Sequence, residues 1–166
     1  MAFYSKNAII ILLIKLIEEN KHECAIIDRR KKVGIIYQFY NLIPTLNVEE
    51  NIVLPIELDK KKVDNNRLQE IMKLLNIDNR KTHLPNELSG GQQQKVAIGR
   101  ALIINPTIIL ADEPTGNLDS KSSNEIIQLL KKVNKEQKQT IIMITHNMEI
   151  AKVADRIIRI EDGIIM

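Results

Sequence analysis

Three short runs of the chain are apolar without alternation: Val33 to Tyr37, Thr107 to Ala111, and Thr140 to Thr145. Continuous runs of this kind are typical of parallel strands that are covered on both faces. Pro114 stops the second run, because proline cannot donate a hydrogen bond to a sheet ladder. A helical pattern lies between the second and third runs, and this order implies a right-handed crossover. The pattern predicts an α/β fold with a parallel sheet.

Apolar residues at helical spacing predict three helices. The first, between residues 63 and 76, carries one apolar stripe and is expected at the surface. The second follows Ser89-Gly90-Gly91 and ends at Asn105-Pro106. The third is predicted to open with Ser122 and Glu125, which have the spacing of a capping box ahead of an apolar stripe.

The remaining segments contain turn and breaker signals. Pro44 and Pro55 break up the segment that follows the first strand. Near the C-terminus, Arg156 to Glu161 and Ile164 to Met166 flank Asp162-Gly163, which is a tight-turn signal. This arrangement predicts a hairpin.

Composition narrows the class of protein. At 166 residues the chain is expected to be one domain, and its charge of +3 is mild. The basic run Lys60 to Lys62 is interpreted as a solvated turn rather than a nucleic-acid patch, because no aromatic residues interleave with it.

Cys24 is alone, which excludes an intrachain disulfide and fits a reducing cytoplasm. The apolar stretch Ala8 to Ile14 is shorter than the roughly 20 residues of a membrane span, so membrane association is expected only through a partner.

Polar residues follow all three predicted strands: Gln38, the pair Asp112-Glu113, and His146. Ligands of parallel α/β sheets gather beyond the carboxyl ends of strands. Two adjacent carboxylates repel each other unless a cation or substrate uses them, so Asp112 is a candidate Mg²⁺ ligand and Glu113 a candidate base for attack on a phosphoryl group. The alternatives are a solvated carboxylate pair and, for His146, a hydrogen-bonded structural histidine.

The segment Ser89-Gly90-Gly91-Gln92 is a second candidate site. A serine N-cap and two glycines let free backbone N–H groups approach an anion at a helix N-terminus. The segment therefore predicts a phosphate-binding helix start. The alternative is a plain N-cap with a glycine turn.

Five motifs together resemble the ABC ATPases. Leu88 to Ile98 is similar to the signature motif, and Ile108 to Pro114 is similar to the Walker B strand that follows it. The Q-loop, the D-loop and the switch-histidine strand are matched in family order by Tyr37-Gln38, Gly116-Asn117-Leu118-Asp119 and Ile144-Thr145-His146. The resemblance covers the chain from about Val33 to its C-terminus.

The resemblance implies catalytic and metal-binding roles for four residues. Gln38 is implied to sense Mg²⁺ and the attacking water, and Asp112 to coordinate Mg²⁺. Glu113 is implied to be the catalytic base, and His146 to contact the γ-phosphate of ATP. These roles require ATP and Mg²⁺ as cofactors.

The signature residues are implied to act on a second subunit. Ser89, Gly90, Gly91 and Gln92 are implied to close over nucleotide held by the opposite ATPase subunit, identical or different, of a head-to-tail dimer. Asp119 is implied to help link the two sites.

The fold implied is a partial P-loop NTPase (RecA-like) sheet within a single, incomplete domain. Residues 33–38 and 103–166 are expected to form the core sheet and its helices. Residues 39–102 are expected to form a helical subdomain with the signature helix, and residues 1–32 an atypical N-terminal segment. The motifs further resemble the branch that serves lipoprotein release, macrolide efflux and antimicrobial-peptide export. A transmembrane permease is the implied partner, which places the chain at the inner face of the cell membrane.

One family motif is missing from the sequence. A phosphate loop, Gly-x-x-x-x-Gly-Lys-Ser/Thr, is expected upstream of Gln38, but the first glycine is Gly34. We therefore expect little ATPase activity from this chain alone. Three hypotheses stay open: an ATPase subunit that depends on a partner's phosphate loop, a non-catalytic interaction module, and a truncated gene product.

Overall fold

The computed structural model describes residues 32–161 and 164–166. The predictions for residues 1–31, including Ala8 to Ile14 and Cys24, and for the Asp162-Gly163 turn lie outside the described residues. The described chain falls into two compact units, residues 32–144 and residues from 145 onward. Each is described by itself, and the single-domain expectation stays a prediction.

A three-stranded parallel sheet forms the centre of the first unit, as the apolar runs predicted. Its strands are β1 (Val33–Ile36), β2 (Ile108–Asp112) and β3 (Thr140–Ile144), in the order β1-β2-β3. Ile36 pairs with Ala111, and Asp112 pairs with Ile144. The carboxyl ends of all three strands therefore lie at one edge of the sheet.

Four α-helices accompany the sheet in the described part of this unit. They are α1 (Val48–Leu58), α2 (Asn65–Leu75), α3 (Gly90–Leu102) and α4 (Ser120–Gln137). Short 3-10 turns at Asp78–Arg80 and Pro85–Glu87 connect α2 to α3. The apolar stripes of α2 and α3 are buried, as predicted, and Val96, Ile98 and Leu102 of α3 are fully buried.

The prediction that Pro55 breaks up its segment is wrong, because Pro55 lies inside α1. Asn47 and Glu50 open this helix with a capping box, and Ile52 is buried in the core. Burial of an aliphatic side chain contributes about 1.5–3 kcal/mol. Packing of the α1 face therefore offsets the one helical hydrogen bond that proline cannot make.

Asn51 ties the preceding loop to α1. It is fully buried, and its Oδ1 accepts a 2.8 Å hydrogen bond from the Ile43 N–H. Its Nδ2 donates to the carbonyl oxygens of Ile43, Leu46 and Asn47 at 2.8–3.1 Å. A buried amide satisfied in this way costs little and holds the loop in one conformation.

The predicted capping box at Ser122 and Glu125 is also wrong. Helix α4 begins at Ser120, and its N-cap is Asp119, whose Oδ1 accepts from the Lys121 and Ser122 N–H groups at 3.0 Å. Asp119 precedes Ser122 by one turn and reaches free N–H groups at the actual start of the helix.

The second unit contains a short helix and a hairpin. Helix α5 (Met148–Ala151) is capped by Asn147. Strands β4 (Ile160–Glu161) and β5 (Ile164–Ile165) pair antiparallel, which confirms the predicted hairpin with shorter strands. In the described part of the chain, no helix combines the length and apolarity that crossing a membrane requires.

Candidate functional site at the strand ends

Asp112 is the last residue of β2, and its carboxylate is incompletely satisfied. Its Oδ1 atom is buried and has no hydrogen-bond partner. A buried carboxylate oxygen without a donor is unfavourable unless a cation neutralises it. The oxygen therefore fits a Mg²⁺ ligand.

The protein supplies few other ligands to such a cation. Among the described residues, no group of three or more His, Cys, Asp or Glu side chains could hold a metal ion. Mg²⁺ commonly binds one or two carboxylates and keeps waters and substrate phosphates as its other ligands. A site that depends on Asp112 matches that preference.

Glu113 is held in a left-handed conformation immediately after β2. Its φ is 44°, and the residue is only 5% exposed. Its N–H donates to the Ile144 carbonyl at 2.9 Å, and its own carbonyl accepts from the Gly116 N–H at 3.0 Å. A non-glycine residue at positive φ stores strain, which is concentrated at functional sites. The chain thus turns sharply at the predicted catalytic base.

Gln38 lies two residues beyond β1 and contacts the loop after Glu113. Its Nε2 donates to Asn117 Oδ1 at 3.1 Å, and Asn117 Nδ2 donates back to the Gln38 carbonyl at 3.1 Å. A Cβ atom on Gly116 would lie 2.7 Å from Gln38 Nε2, so only glycine leaves room for this contact. The structure therefore joins the Gln38 segment to the Gly116-Asn117 loop.

The segment Ser89 to Gln92 forms the start of α3, as predicted. Ser89 Oγ accepts from the Gln92 N–H at 3.4 Å, and Gln92 Oε1 accepts from the Ser89 N–H at 2.9 Å. These bonds form a reciprocal capping box. Ser89 is exposed, so the helix start faces solvent in this chain.

The two signature glycines pack against neighbouring loops. A Cβ atom on Gly90 would lie 2.9 Å from the Tyr40 hydroxyl, and one on Gly91 would lie 3.2 Å from Ser122 Oγ. A side chain at either glycine would therefore require the Tyr40 hydroxyl or the Ser122 side chain to shift.

Asp119 has both carboxylate oxygens engaged. Besides the two backbone bonds to Oδ1, its Oδ2 accepts a 2.6 Å hydrogen bond from Ser122 Oγ. The Ser122 hydroxyl and then the Ser122 N–H lower the pKa of Asp119, because they stabilise the charged form. The observed function of Asp119 in this chain is to cap α4.

Arg100 connects α3 to the segment after Gln38. Its guanidinium donates to the carbonyl oxygens of Asn41 at 2.6 Å and Tyr40 at 2.8 Å. Tyr40 and Asn41 both have positive φ, so these bonds stabilise an uncommon turn. Burial lowers the pKa of Arg100. The two hydrogen bonds from Arg100 hold the segment after Gln38 against α3.

His146 belongs to the second unit, where it lies exposed just before the Asn147 cap of α5. In the first unit the structure brings Gln38 to Asn117, places Asp112 beside Glu113, and packs Gly91 against Ser122. The catalytic, metal and nucleotide roles of all these residues stay predictions.

Sequence reasoning missed three residues that build the site. Asn117 is part of the D-loop motif, but its contact with Gln38 spans 79 residues, and the partners of Arg100 are 59 and 60 residues away. Gln94 is fully buried and donates to the Tyr37 carbonyl at 3.4 Å. No local pattern identifies such partners. The available signal for Gln94 was its helical spacing to the apolar residues Ile98 and Ala101, which share the buried face of α3.

A family model described as ABC transporter matches residues 13–116, which is more than half of the chain. The chain belongs to the ABC transporter family. The match includes Gln38, Ser89, Asp112 and Glu113, and it begins upstream of β1.

Two curated relatives indicate the branch of this family. The ATP-binding protein LolD of a lipoprotein-releasing system from Cytophaga hutchinsonii is 42% identical over 140 residues, which cover 83% of this chain and 64% of that protein. The macrolide export ATP-binding/permease protein MacB from Bdellovibrio bacteriovorus is 47% identical over 146 residues, which cover 88% and 22% respectively. These names confirm the predicted branch.

A solved structure supports the fold. The ATP-binding cassette MJ0796 of Methanocaldococcus jannaschii, a dimer in a post-hydrolysis state bound to ADP and Pi, has a TM-score of 0.73 and 42% identity. The match covers 87% of this chain and 65% of that one. The likeness confirms the α/β class and the partial P-loop NTPase fold. The chain spans less than two thirds of each of these three proteins.

Proposed function

We propose that this ABC transporter chain is an ATP-binding subunit that couples ATP binding and hydrolysis to transport across a membrane. The single observation that carries this proposal is the buried, unpartnered Oδ1 of Asp112 beside the strained Glu113 at the end of β2. The relatives that are named ATP-binding proteins, and the cassette solved with ADP and Pi, support the same assignment.

In the proposed mechanism, Asp112 and the Gln38 amide would hold Mg²⁺. When bound with ATP, this ion would neutralise charge on the phosphate oxygens. The Glu113 carboxylate would accept a proton from the attacking water, and its buried position limits access of bulk solvent. His146 would contact the γ-phosphate.

The chain alone is expected to bind the phosphates of ATP weakly. The sequence contains no phosphate loop, and its first glycine is Gly34. Each charge-assisted hydrogen bond that such a loop supplies contributes about 1.5–3 kcal/mol, so lacking several should weaken nucleotide affinity severely. We therefore propose that this 166-residue chain alone hydrolyses ATP slowly or not at all.

We propose that a composite site, formed with a second ATPase subunit, compensates for the weak phosphate binding of this chain. The exposed Ser89 at the start of α3, with Gly90, Gly91 and Gln92, would close over nucleotide held by the phosphate loop of that subunit. The dimer described for MJ0796 supports such an arrangement. A transmembrane permease would be the third component, which would hold the chain at the inner face of the membrane.

A second candidate function is a non-catalytic interaction module. The absence of the Gly-Lys-Ser/Thr sequence favours it, because Asp112 and Glu113 then act on no firmly held triphosphate. This module would dock on the permease and respond to its partner subunit without turning over ATP.

A fluorescent-ATP titration with Mg²⁺ tests these alternatives, first on the chain alone and then with a cassette that carries an intact phosphate loop and Walker B glutamate but has its own signature serine replaced. We expect weak binding alone and hydrolysis only in the mixture. Mixed hydrolysis that is lost with Ser89→Ala, while the complex still forms, supports the ATPase subunit. Absent hydrolysis with intact complex formation supports the module. Turnover by the chain alone at ordinary transporter rates would contradict the proposed defect.

A further inference from the structure

The orientation of the Gln38 side-chain amide is determined by hydrogen bonds that can be traced to a fixed acceptor. Gln38 and Asn117 exchange two bonds of 3.1 Å, one through the Gln38 side chain and one through its backbone carbonyl. The nitrogen and oxygen of a carboxamide have nearly the same shape, so bonding partners decide which atom faces which group.

The backbone carbonyl of Gln38 can only accept a hydrogen bond. Asn117 must therefore turn its Nδ2 towards that carbonyl, which leaves Oδ1 facing the Gln38 side chain. Since Oδ1 can only accept, Gln38 must present Nε2 to it. The backbone carbonyl of Gln38, which can only accept, thus fixes the orientation of both side-chain amides.

Gly116 keeps the space in which this contact forms. A Cβ atom at this position would lie 2.7 Å from Gln38 Nε2 and 3.1 Å from Gln38 Cδ. Those distances are shorter than van der Waals contact, so a larger residue would displace the Gln38 amide. The loop that follows Glu113 therefore contributes both the space and the hydrogen bonds.

We propose that Asn117 is a positioning residue that selects the orientation of Gln38. In this orientation the amide nitrogen is bonded to Asn117, and the carboxamide oxygen is the end of the side chain that Asn117 does not use. Hard cations such as Mg²⁺ bind oxygen and not an NH₂ group. The consequence for Mg²⁺ rests on the proposed function, whereas the orientation itself does not.

Two substitutions at Asn117 separate the contributions of its two hydrogen bonds to Gln38. Asn117→Ala removes both hydrogen bonds. Asn117→Asp keeps an acceptor for Gln38 Nε2 and loses only the donor to the Gln38 carbonyl. Asn86→Ala is the matched control, because Asn86 is exposed and lies on the 3-10 turn Pro85–Glu87.

The test measures hydrogen exchange of the Gln38 Nε2 protons by NMR on the ¹⁵N-labelled 166-residue chain, without nucleotide. In Asn117→Ala we expect exchange to accelerate about fivefold, the factor for one net hydrogen bond, and the resonances to move towards those of an exposed glutamine. Asn117→Asp should retain most of the protection, and Asn86→Ala should leave the signals unchanged. Unchanged Gln38 signals in Asn117→Ala would overturn the proposal. If Asn117→Ala does not fold, Asn117→Leu, which keeps the size of the side chain and removes both hydrogen bonds, replaces it, and unchanged Gln38 signals in that variant would overturn the proposal equally.

Titration with Mn²⁺ tests the consequence for the cation. We expect the signals of Asp112 and Gln38 to broaden together in the wild-type chain, and Gln38 to broaden less in Asn117→Ala while Asp112 is unchanged. Equal broadening of Gln38 in both proteins would overturn the link from Asn117 to the cation. Failure of Asp112 to broaden in the wild type would instead count against the proposed cation site, and the exchange measurement would still decide the orientation.

Discussion

Two groups of predicted site residues lie in different kinds of local structure. Ser89 and Gln92 at the start of α3 satisfy each other through a capping box of sequence neighbours. At the end of β2, the Oδ1 atom of Asp112 is buried without a hydrogen-bond partner, and the backbone of Glu113 has a positive φ. The first group is stable by itself, whereas the second stores unfavourable energy that a bound cation and nucleotide would relieve.

This difference indicates what kind of role each group can have. A helix start that is already capped can meet a partner subunit without reorganisation. A strand end with an orphaned carboxylate has a built-in preference for a cation. Substitutions at the strand end should therefore change activity without loss of stability, whereas substitutions at the helix start should also lower stability.

The largest effect is expected from Glu113→Gln. In a chimera that joins a relative's phosphate-loop segment ahead of β1 of this chain, loss of the general base should lower ATP turnover about 100-fold or more, or about 3 kcal/mol in barrier height. Phosphate release measures the rate. Glu136→Gln, at an exposed position on α4, is the control and should leave turnover unchanged. Equal turnover in the two variants would remove Glu113 from the mechanism.

Asp112→Asn is expected to stabilise the chain when no metal is present. The substitution keeps the shape of the side chain and removes a charge whose Oδ1 is buried without a donor, so the free energy of unfolding should rise by about 1 kcal/mol. Urea denaturation with EDTA measures this change. Adding MgCl₂ should stabilise the wild type and not the variant. A destabilised Asp112→Asn would contradict the contrast between the two regions, and Asp78→Asn on the exposed 3-10 turn is the control.

Ser89→Ala should destabilise the start of α3. Loss of an N-cap side chain typically costs about 1 kcal/mol, and the 3.4 Å bond to the Gln92 N–H places this case at the lower end. The measurement is again urea denaturation, with Ser120→Ala, at the exposed first residue of α4, as control. Turnover in the complex that falls without any loss of stability would show that Ser89 acts on nucleotide rather than as a cap.

The smallest effect is expected from the pH dependence of the α4 cap. The pKa of Asp119 is lowered in the folded chain, chiefly by the Ser122 hydroxyl. Its contribution to stability is therefore fully present above the unfolded value of about 3.9 and is lost as pH falls through the lower folded pKa. Asp119→Asn should lose less stability than the wild type between pH 5 and pH 3, as followed by urea denaturation at each pH. Parallel acid profiles of the two proteins would contradict this assignment.

The sequence predicted the elements whose signals are local. The three apolar runs predicted the strands, and the stripe on residues 63–76 predicted α2, because a continuous apolar run and a helically spaced stripe are distinct local patterns. Ser89 was correctly predicted as an N-cap because its partner is three residues away. Asn47 and Glu50 have the same spacing at the start of α1, and Pro55 does not end the helix that they open.

The predictions that failed depended on tertiary burial or on competing caps. Pro55 is accommodated because α1 packs against the core through residues such as Ile52. At α4, Asp119 and Ser122 both suited an N-cap, and only the position of the first helical turn distinguished them. Local spacing cannot decide between two residues one turn apart.

The sequence by itself determined the family, the α/β class and the identity of the residues at the strand ends, since these depend on residue types and their spacing along the chain. Only the tertiary structure decided that Asp112 Oδ1 is buried without a donor, that Glu113 lies at positive φ, and that Asn117 fixes the Gln38 amide. The physical reason is distance along the chain: Gln38 and Asn117 are 79 residues apart, and no local pattern records which atoms of two remote side chains will meet.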